Sequence, residues 1–197
     1  MYPDDVDPMS GCRLPLPRRE DLGDAGQRTC DNLADPEGET IRVLRGPRRD
    51  HAAQPRTLAT CPAPQSLYPI RGGTGYRVRE LAILTIAREL NSQFEWAAHE
   101  PEAIGEGIAQ ELIEIIRHRK DTKGLDEADA IVIELGREIF GARRVSSVTF
   151  ARCLKQFGRR KLVDLVALMG NYASTAALLV AFDMQLDPSQ PPPLPPL

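Results

Sequence analysis

Two residues suited to proton transfer stand four positions apart in this chain, Glu95 and His99. On an α-helix, this spacing places both side chains on one face. A carboxylate beside an imidazole orients the ring and raises its basicity, and general acid–base catalysis uses such pairs. The neighbouring Phe94 and Trp96 favour burial, although a pair at this spacing is more often a weak ion pair on the surface. We therefore interpret Glu95 and His99 as candidate catalytic residues.

Glu80 is a third candidate, 19 residues before His99. On one straight helix the two residues would lie about 28 Å apart. They can meet only if the chain bends between them or if a neighbouring subunit supplies one of them. Asn91 and Ser92 mark the expected bend, because both residue types disfavour helix interiors.

The sequence predicts neither a metal centre nor a dithiol. The other histidines, His51 and His118, show no ligand spacing to His99. No cysteine lies within four residues of another, so a CxxC pair is absent. We expect reduced, incidental thiols in a cytosolic protein. The four cysteines are Cys12, Cys30, Cys61 and Cys153.

The composition of the chain is that of a soluble globular protein, with 197 residues, 42% of them apolar and 27% charged. The net charge of -3 provides no basic field, so we expect neither nucleic acid nor an acidic membrane as a partner. No apolar stretch of the secretory type follows the first Met. The predicted location is the cytoplasm.

Proline divides the chain into three parts. Ten of the 17 prolines precede residue 76, six follow residue 187, and Pro101 alone lies between. Because proline disrupts helix interiors, residues 76–187 are the predicted helical domain, after a poorly regular region at 1–75. Residues 188–197 are predicted to form an extended polyproline II tail. This tail would either dock in an aromatic groove on a partner or lie over its own or a neighbouring subunit.

The apolar residues of the body recur at helical spacing, and the alternation typical of strands is absent. We therefore predict an all-α bundle of about five or six helices. Asp126 is a good N-cap for the third helical stretch. The five stretches run over about 77–99, 110–119, 126–141, 147–157 and 160–182.

The last of these stretches contains 18 uncharged residues, at 165–182. This length meets the threshold for a membrane span. Asp164 and Asp183 bracket the stretch closely, and polar residues interrupt it. We interpret it as a central helix that is buried in a bundle or at a subunit contact, and we expect the protein to self-associate.

Several short motifs together resemble the signature of the carboxymuconolactone decarboxylase family, within the alkylhydroperoxidase-like superfamily. Gly107 and the helix after it, together with residues 162–166 and 170–172, also match the pattern of that family. The resemblance implies an alkylhydroperoxidase-like helical fold over residues 76–187. The main motifs are Arg-Glu-Leu-Ala-Ile-Leu at 79–84, Asn-Ser-Gln-Phe-Glu-Trp at 91–96 and His-Glu-Pro at 99–101.

Two activities occur in this family. Its thiol peroxidases carry a CxxC pair and then a His on this helix, with a Glu upstream. The cysteine positions correspond here to Ser92 and Glu95, the His to His99 and the Glu to Glu80. A hydroxyl and a carboxylate cannot form a disulfide, so the resemblance disfavours a peroxiredoxin-type antioxidant activity. The family's decarboxylases keep a Glu and a His here, need no cofactor and act on a carboxylated muconolactone from aromatic catabolism.

The resemblance thus implies a carboxy-lyase similar to 4-carboxymuconolactone decarboxylase, without a cofactor or a metal. In this interpretation His99, oriented by Glu95, donates the proton, and Glu80 completes the relay. A non-catalytic oligomeric relative is the alternative.

The expected substrate is a small acid, whose remaining carboxylate needs a partner. Arg79, Arg77 and Arg88 are candidates, because guanidinium groups match carboxylate geometry, and Ser92 is a further candidate binding residue. An ion-paired or solvated helix surface is an equally good interpretation of the arginines. The resemblance also implies homo-oligomers, as trimers or hexamers.

Residues 48–73 depart from the family's pattern. They contain several prolines, end at Gly72 and Gly73 and show no helical stripe. Relatives tend to have an apolar helix here that covers the site. The segment is either a divergent loop or the product of a local reading-frame error, and in both cases we expect a more open site.

Overall fold

A computed structural model of the chain describes residues 2–8, 10–13, 18, 20, 23–24, 27–28 and 75–197. Within these residues the regular secondary structure is helical, and no strand occurs apart from an isolated bridge between Asp7 and Cys12. This confirms the predicted all-α character of the described part. The irregular segment expected at 48–73 lies outside the described residues, as do His51 and two of the cysteines.

Five α-helices account for most of residues 75–181, and a short π-helix, Arg137–Gly141, directly follows the fourth. The helices are α1 (Gly75–Glu89), α2 (Gln93–Gly105), α3 (Gln110–Arg117), α4 (Glu127–Gly136) and α5 (Ser147–Ala181).

Helix α1 provides much of the buried core. Every residue from Glu80 to Glu89 is buried, and α1 contacts α2, α3, α4 and the π-helix. Between Leu81 and Ala87 its sequence is almost entirely apolar, which is typical of a buried helix. Gly136 allows α4 to approach α1 closely, because a Cβ there would lie 2.6 Å from the Cγ2 atom of Thr85.

The predicted first stretch, 77–99, is in fact two helices with a sharp turn between them. Asn91 has a left-handed backbone with φ of 53°. The Asn91 N–H donates to the carbonyl of Arg88 at 3.1 Å, and the Ser92 N–H donates to that of Ala87 at 2.7 Å. These two bonds form a Schellman motif with asparagine at the left-handed position, which asparagine tolerates better than most residues. The expected bend at Asn91 and Ser92 is confirmed.

The same two-bond pattern closes other helices. Gly107 ends α2, Arg119 ends α3 and Asp183 follows α5, each with a positive φ. At the start of α4, the Asp126 carboxylate accepts a hydrogen bond from the Ala128 N–H at 2.9 Å, so the predicted N-cap is confirmed.

Gly158 breaks α5, with φ of 69° and ψ of 170° inside the helix. The predicted separation of the fourth and fifth stretches therefore lies at this glycine. Among the described residues, α5 is the helix that is long and apolar enough to cross a membrane by length and composition, a test that core helices also pass. The helix is partly buried within the chain, where Leu165, Leu168 and Met169 belong to the main hydrophobic core. A subunit contact at its exposed side stays a prediction.

The described residues form two compact units. One contains residues 75–176 and 192–197, and the other contains those between 2 and 28 together with 177–191. In the second unit, the Arg13 N–H donates to the Phe182 carbonyl at 2.9 Å. The acid–base candidates and the last six residues belong to the first unit.

Candidate functional site

Helices α1 and α2 bring Glu80 and His99 together within one chain. The Nδ1 atom of His99 lies 2.8 Å from Oε2 of Glu80, whose side chain is fully buried. The turn at Asn91 makes this contact possible, because it allows α2 to pack against α1. No neighbouring subunit is needed to complete the pair.

Arg79 holds the other oxygen of Glu80. Its Nε and Nη2 atoms lie 2.8 Å and 2.6 Å from Oε1. Burial alone raises the pKa of Glu80, but the hydrogen bond and charge of His99, with the charge of Arg79, lower the pKa below its ordinary value. Glu80 is therefore a buried carboxylate that stays ionised at neutral pH.

The His99 ring is fixed on two sides. Its Nδ1 atom faces Glu80, and its plane meets the Tyr172 ring edge-on, with 5.2 Å between centroids and an interplanar angle of 82°. The side chain is 22% exposed, and Nε2 makes no hydrogen bond to the described residues. The ring is thus oriented by the protein and retains one nitrogen for a ligand.

Glu95 is buried without a partner. It is 3% exposed, and neither carboxylate oxygen has a hydrogen-bond partner among the described residues. Burial raises the pKa of Glu95 to about 8, while the nearby Ser92 acts in the opposite direction without forming a hydrogen bond of good geometry. At neutral pH Glu95 is therefore an uncharged acid that can donate a proton.

The expectation that Glu95 orients His99 is wrong. The imidazole instead contacts Glu80, although Glu95 lies four residues away on the same helix. Electrostatics explains the choice, because an ionised carboxylate accepts the Nδ1–H more strongly than a neutral carboxyl group does. Helical spacing identified the correct helix face but assigned the hydrogen bond to the wrong glutamate.

The arginines expected to bind a substrate have partners within the protein. Both terminal nitrogens of Arg77 pair with the carboxylate of Asp129, which agrees with the ion-paired interpretation of this residue. Arg79 is engaged by Glu80 and also covers the Tyr76 ring at 4.8 Å. It is the arginine that reaches the acid–base pair.

The two remaining candidates lie near the turn between α1 and α2. Arg88 donates to the carbonyl of Pro195, away from the acid–base pair. Ser92 is buried, and its hydroxyl does not cap α2. Tyr172 was not singled out as a site residue, because it is one aromatic residue in the apolar sequence of α5 and no spacing connects it to His99.

The described cysteines, Cys12 and Cys153, are both buried. Burial raises the pKa of the Cys153 thiol to about 11, so it is not a thiolate at neutral pH. Among the described residues, no group of three or more His, Cys, Asp or Glu side chains is arranged to hold a metal ion.

Comparison of the chain with protein-family models, with curated proteins and with solved structures finds no match. The family resemblance therefore remains a prediction that depends on the motif residues. The geometry around Glu80 and His99 is an independent observation, because it describes the placement of these side chains whatever the family.

Proposed function

We propose that this protein is a carboxymuconolactone decarboxylase-like, cofactor-free carboxy-lyase that acts on a small carboxylated lactone or a related acid. The observation that carries the proposal is the 2.8 Å contact between His99 Nδ1 and Glu80 Oε2. It lies at a site that also contains a buried, uncharged glutamic acid, Glu95. A fixed imidazole can deliver a proton to carbon, and a neutral acid is a second group that can donate one.

The hydrogen-bond partner of His99 Nδ1 determines which ring nitrogen can exchange a proton with a substrate. Because the Glu80 carboxylate only accepts hydrogen bonds, it holds the hydrogen of the imidazole on Nδ1. Nε2 is then the nitrogen that exchanges a proton with a substrate. Glu80 stays ionised and acts by positioning the ring and stabilising its protonated form, while His99 carries the proton.

The charges of the site suit an anionic substrate. The positive charge of Arg79 offsets the negative charge of the Glu80 carboxylate. The raised pKa of Glu95 keeps its carboxyl group uncharged. A protonated His99 makes the total charge of these four groups +1. A substrate carboxylate therefore meets little repulsion. An ionised Glu95 would repel it.

Decarboxylation at such a site would proceed in one balanced step. The carbon–carbon bond to the carboxylate breaks, carbon dioxide leaves, and the bonding electrons pass into a conjugated carbonyl of the substrate. The carbon that gains these electrons takes a proton from Nε2 of protonated His99, and water then returns a proton to the ring. Neither an oxidant nor a reductant is needed.

We also propose that the protein forms a homo-oligomer, as a trimer or a hexamer in the cytoplasm. Apolar side chains that are exposed along α5 in the single chain support this proposal. Light scattering that shows a monomer at micromolar concentration would contradict it. The exposed residues are Val148, Phe150, Leu154, Val163, Val166 and Val180.

The activity is tested with 4-carboxymuconolactone and a small panel of related carboxylated lactones. We expect release of carbon dioxide and of the decarboxylated lactone without added metal or cofactor. An organic hydroperoxide with a dithiol reductant is the matched second assay, and Ser92 and Glu95 at the positions of the peroxidase cysteines predict no turnover. Hydroperoxide reduction without decarboxylation would revive the antioxidant alternative. Inactivity in both assays would favour a non-catalytic relative.

A further inference from the structure

The segment at 192–197 packs against the helices α1, α2 and α3. Leu194 is 3% exposed and belongs to the main hydrophobic core, whereas Leu197 is 67% exposed. One leucine of the segment is thus an anchor and the other is not. This observation agrees with one of the two sequence-based alternatives, in which the tail lies over its own subunit.

The side chain of Gln93 forms hydrogen bonds with both backbone groups of Leu194, the anchor residue. The Leu194 N–H donates to Oε1 of Gln93 at 2.9 Å, and Nε2 of Gln93 donates to the Leu194 carbonyl at 3.1 Å. The amide group of Gln93 therefore pairs with Leu194 as a neighbouring strand would. Only a segment with a free N–H at this position can make both bonds, which excludes proline there.

Two arginines take the flanking carbonyls. Arg117 donates to the carbonyl of Pro193, and Arg88 donates to that of Pro195 at 2.8 Å and to that of Pro196 at 3.4 Å. Prolines lack an N–H, so a proline-rich segment offers mainly acceptors. The two arginines supply the donors that match these proline carbonyls.

Contacts within the helices also hold one of these donors, Arg117. Glu100 pairs with Arg117 and also accepts the indole N–H of Trp96 at 2.9 Å. Glu114 pairs with Arg117 at 2.8 Å, and the guanidinium of Arg117 lies 4.8 Å from the centre of the Trp96 ring. Arginine held by two carboxylates against an indole loses little freedom on binding.

We infer that Arg88, Gln93, Trp96 and Arg117 form a recognition site for uncharged proline-rich segments with one buried leucine. Residues 192–197 are its resident ligand. Such segments are good ligands because their extended polyproline II form loses little entropy on docking, and aromatic-lined grooves commonly recognise them. The Nε atom of Arg88 is buried without a partner among the described residues, so one donor of the site is left unused by the tail. The inference does not depend on chemistry at His99.

The chain offers an internal reporter for this site, since Trp96 is its one tryptophan and is fully buried. We compare Leu194→Asp with Leu197→Asp in the full-length protein. The first substitution should expel the segment and shift Trp96 emission to the red, and the second should leave the spectrum unchanged. Adding the free heptapeptide of residues 191–197 to the Leu194→Asp protein should restore the emission in a saturable manner. The same peptide with aspartate for its leucine anchor should bind at least about tenfold more weakly.

Equal spectra for the two variants, or a peptide titration without saturation, would overturn the inference. Far-UV circular dichroism checks that Leu194→Asp keeps its helices. If it does not, Gln93→Glu replaces the test, because a carboxylate repels the Leu194 carbonyl, with the exposed Gln110→Glu as its control. A dimer of the unsubstituted protein that Leu194→Asp dissociates and Leu197→Asp retains would support the same site, with the segment of a second copy as occupant.

Discussion

Helix α2 carries two stripes of polar side chains, which differ in whether those side chains have hydrogen-bond partners. On one stripe His99 is held by Glu80, and Glu95 is buried with no partner among the described residues. On the other stripe, Gln93 uses both ends of its amide, and Trp96 and Glu100 bond to each other. Both stripes belong to one helix of 13 residues, so the difference does not arise from the stability of the helix.

The comparison separates polar groups that hold the fold from polar groups that do not. Buried polar atoms in folded proteins nearly always have partners, and an unpaired one carries a cost. The stripe of Gln93, Trp96 and Glu100 follows that rule, and we interpret it as binding and structural. Glu95 violates the rule, and the violation supports a chemical role, since a buried acid without a hydrogen-bond partner among the described residues adds nothing to stability.

The largest effect is expected for His99→Gln, which tests whether His99 acts in catalysis or in holding the fold. Glutamine keeps much of the shape but cannot carry the proton, so we expect turnover of a decarboxylation substrate to fall by roughly 10²–10⁴-fold. The free energy of unfolding should change by less than about 1 kcal/mol. The matched control is His118→Gln, which removes a 45% exposed ring paired with Glu114 and should leave turnover unchanged. A large loss of stability with intact activity would instead assign His99 a structural role.

The second test uses pH, because the raised pKa of Glu95 makes the folded chain keep a proton that the unfolded chain loses above about 4.5. The free energy of unfolding should therefore fall between pH 5 and pH 8, by on the order of 3–4 kcal/mol. Glu95→Gln stays uncharged at every pH and should remove this decline. Urea denaturation at both pH values measures it.

Glu100→Gln is the control for that test, five residues further along the same helix. Its carboxylate already has partners in Arg117 and Trp96, so the substitution should lower the free energy of unfolding by about 1 kcal/mol at both pH values. Parallel behaviour of the two variants would remove the distinction between the two stripes.

A smaller effect is expected for truncation of the anchor. Leu194→Ala empties a buried position in the core and should lower the free energy of unfolding by about 2–3 kcal/mol. Leu197→Ala, at a position that is 67% exposed, should change it by less than about 0.5 kcal/mol. Thermal denaturation of both variants gives the comparison, and equal melting temperatures would show that the segment adds no stability.

The smallest effect concerns Glu80→Gln. An amide in this place weakens the orientation of the imidazole without removing the proton carrier, so we expect a loss of about 10–100-fold in kcat with little change in KM. Glu102→Gln, an exposed position on α2, serves as the control. A loss larger than that of His99→Gln would indicate that Glu80 itself transfers the proton.

The sequence predicted the helices well because their signals are local. Asn91 and Ser92 marked the turn, Asp126 marked the start of α4, and the position of Gly158 matches the predicted break in the last helices. It also predicted that Glu80 and His99 could meet only through a bend or through a neighbouring subunit. These features depend on the preferences of single residues and on helical spacing.

The sequence could not choose between partners that are distant along the chain. Arg77 was a candidate for substrate binding, but in the structure it forms an ion pair with Asp129. These residues lie 52 positions apart. Tyr172 reaches His99 from α5 for the same reason, without any periodic signal. Which carboxylate orients the imidazole depends on relative burial and on Arg79, and both are properties of the packed structure.

The contact between Gln93 and Leu194 spans 101 positions of the chain, whereas that between Glu80 and His99 spans 19. Short closures form fast and long ones slowly, so the hairpin of α1 and α2 should assemble well before the segment docks. During synthesis, roughly one hundred residues are added between Gln93 and Leu194, which takes about 5–20 s at bacterial or eukaryotic rates of elongation. For that interval the nascent chain presents the amide of Gln93 and the guanidinium of Arg117 with no proline-rich segment of its own to bind them. A ribosome-bound chain is therefore the form of this protein in which a proline-rich partner would meet no competitor.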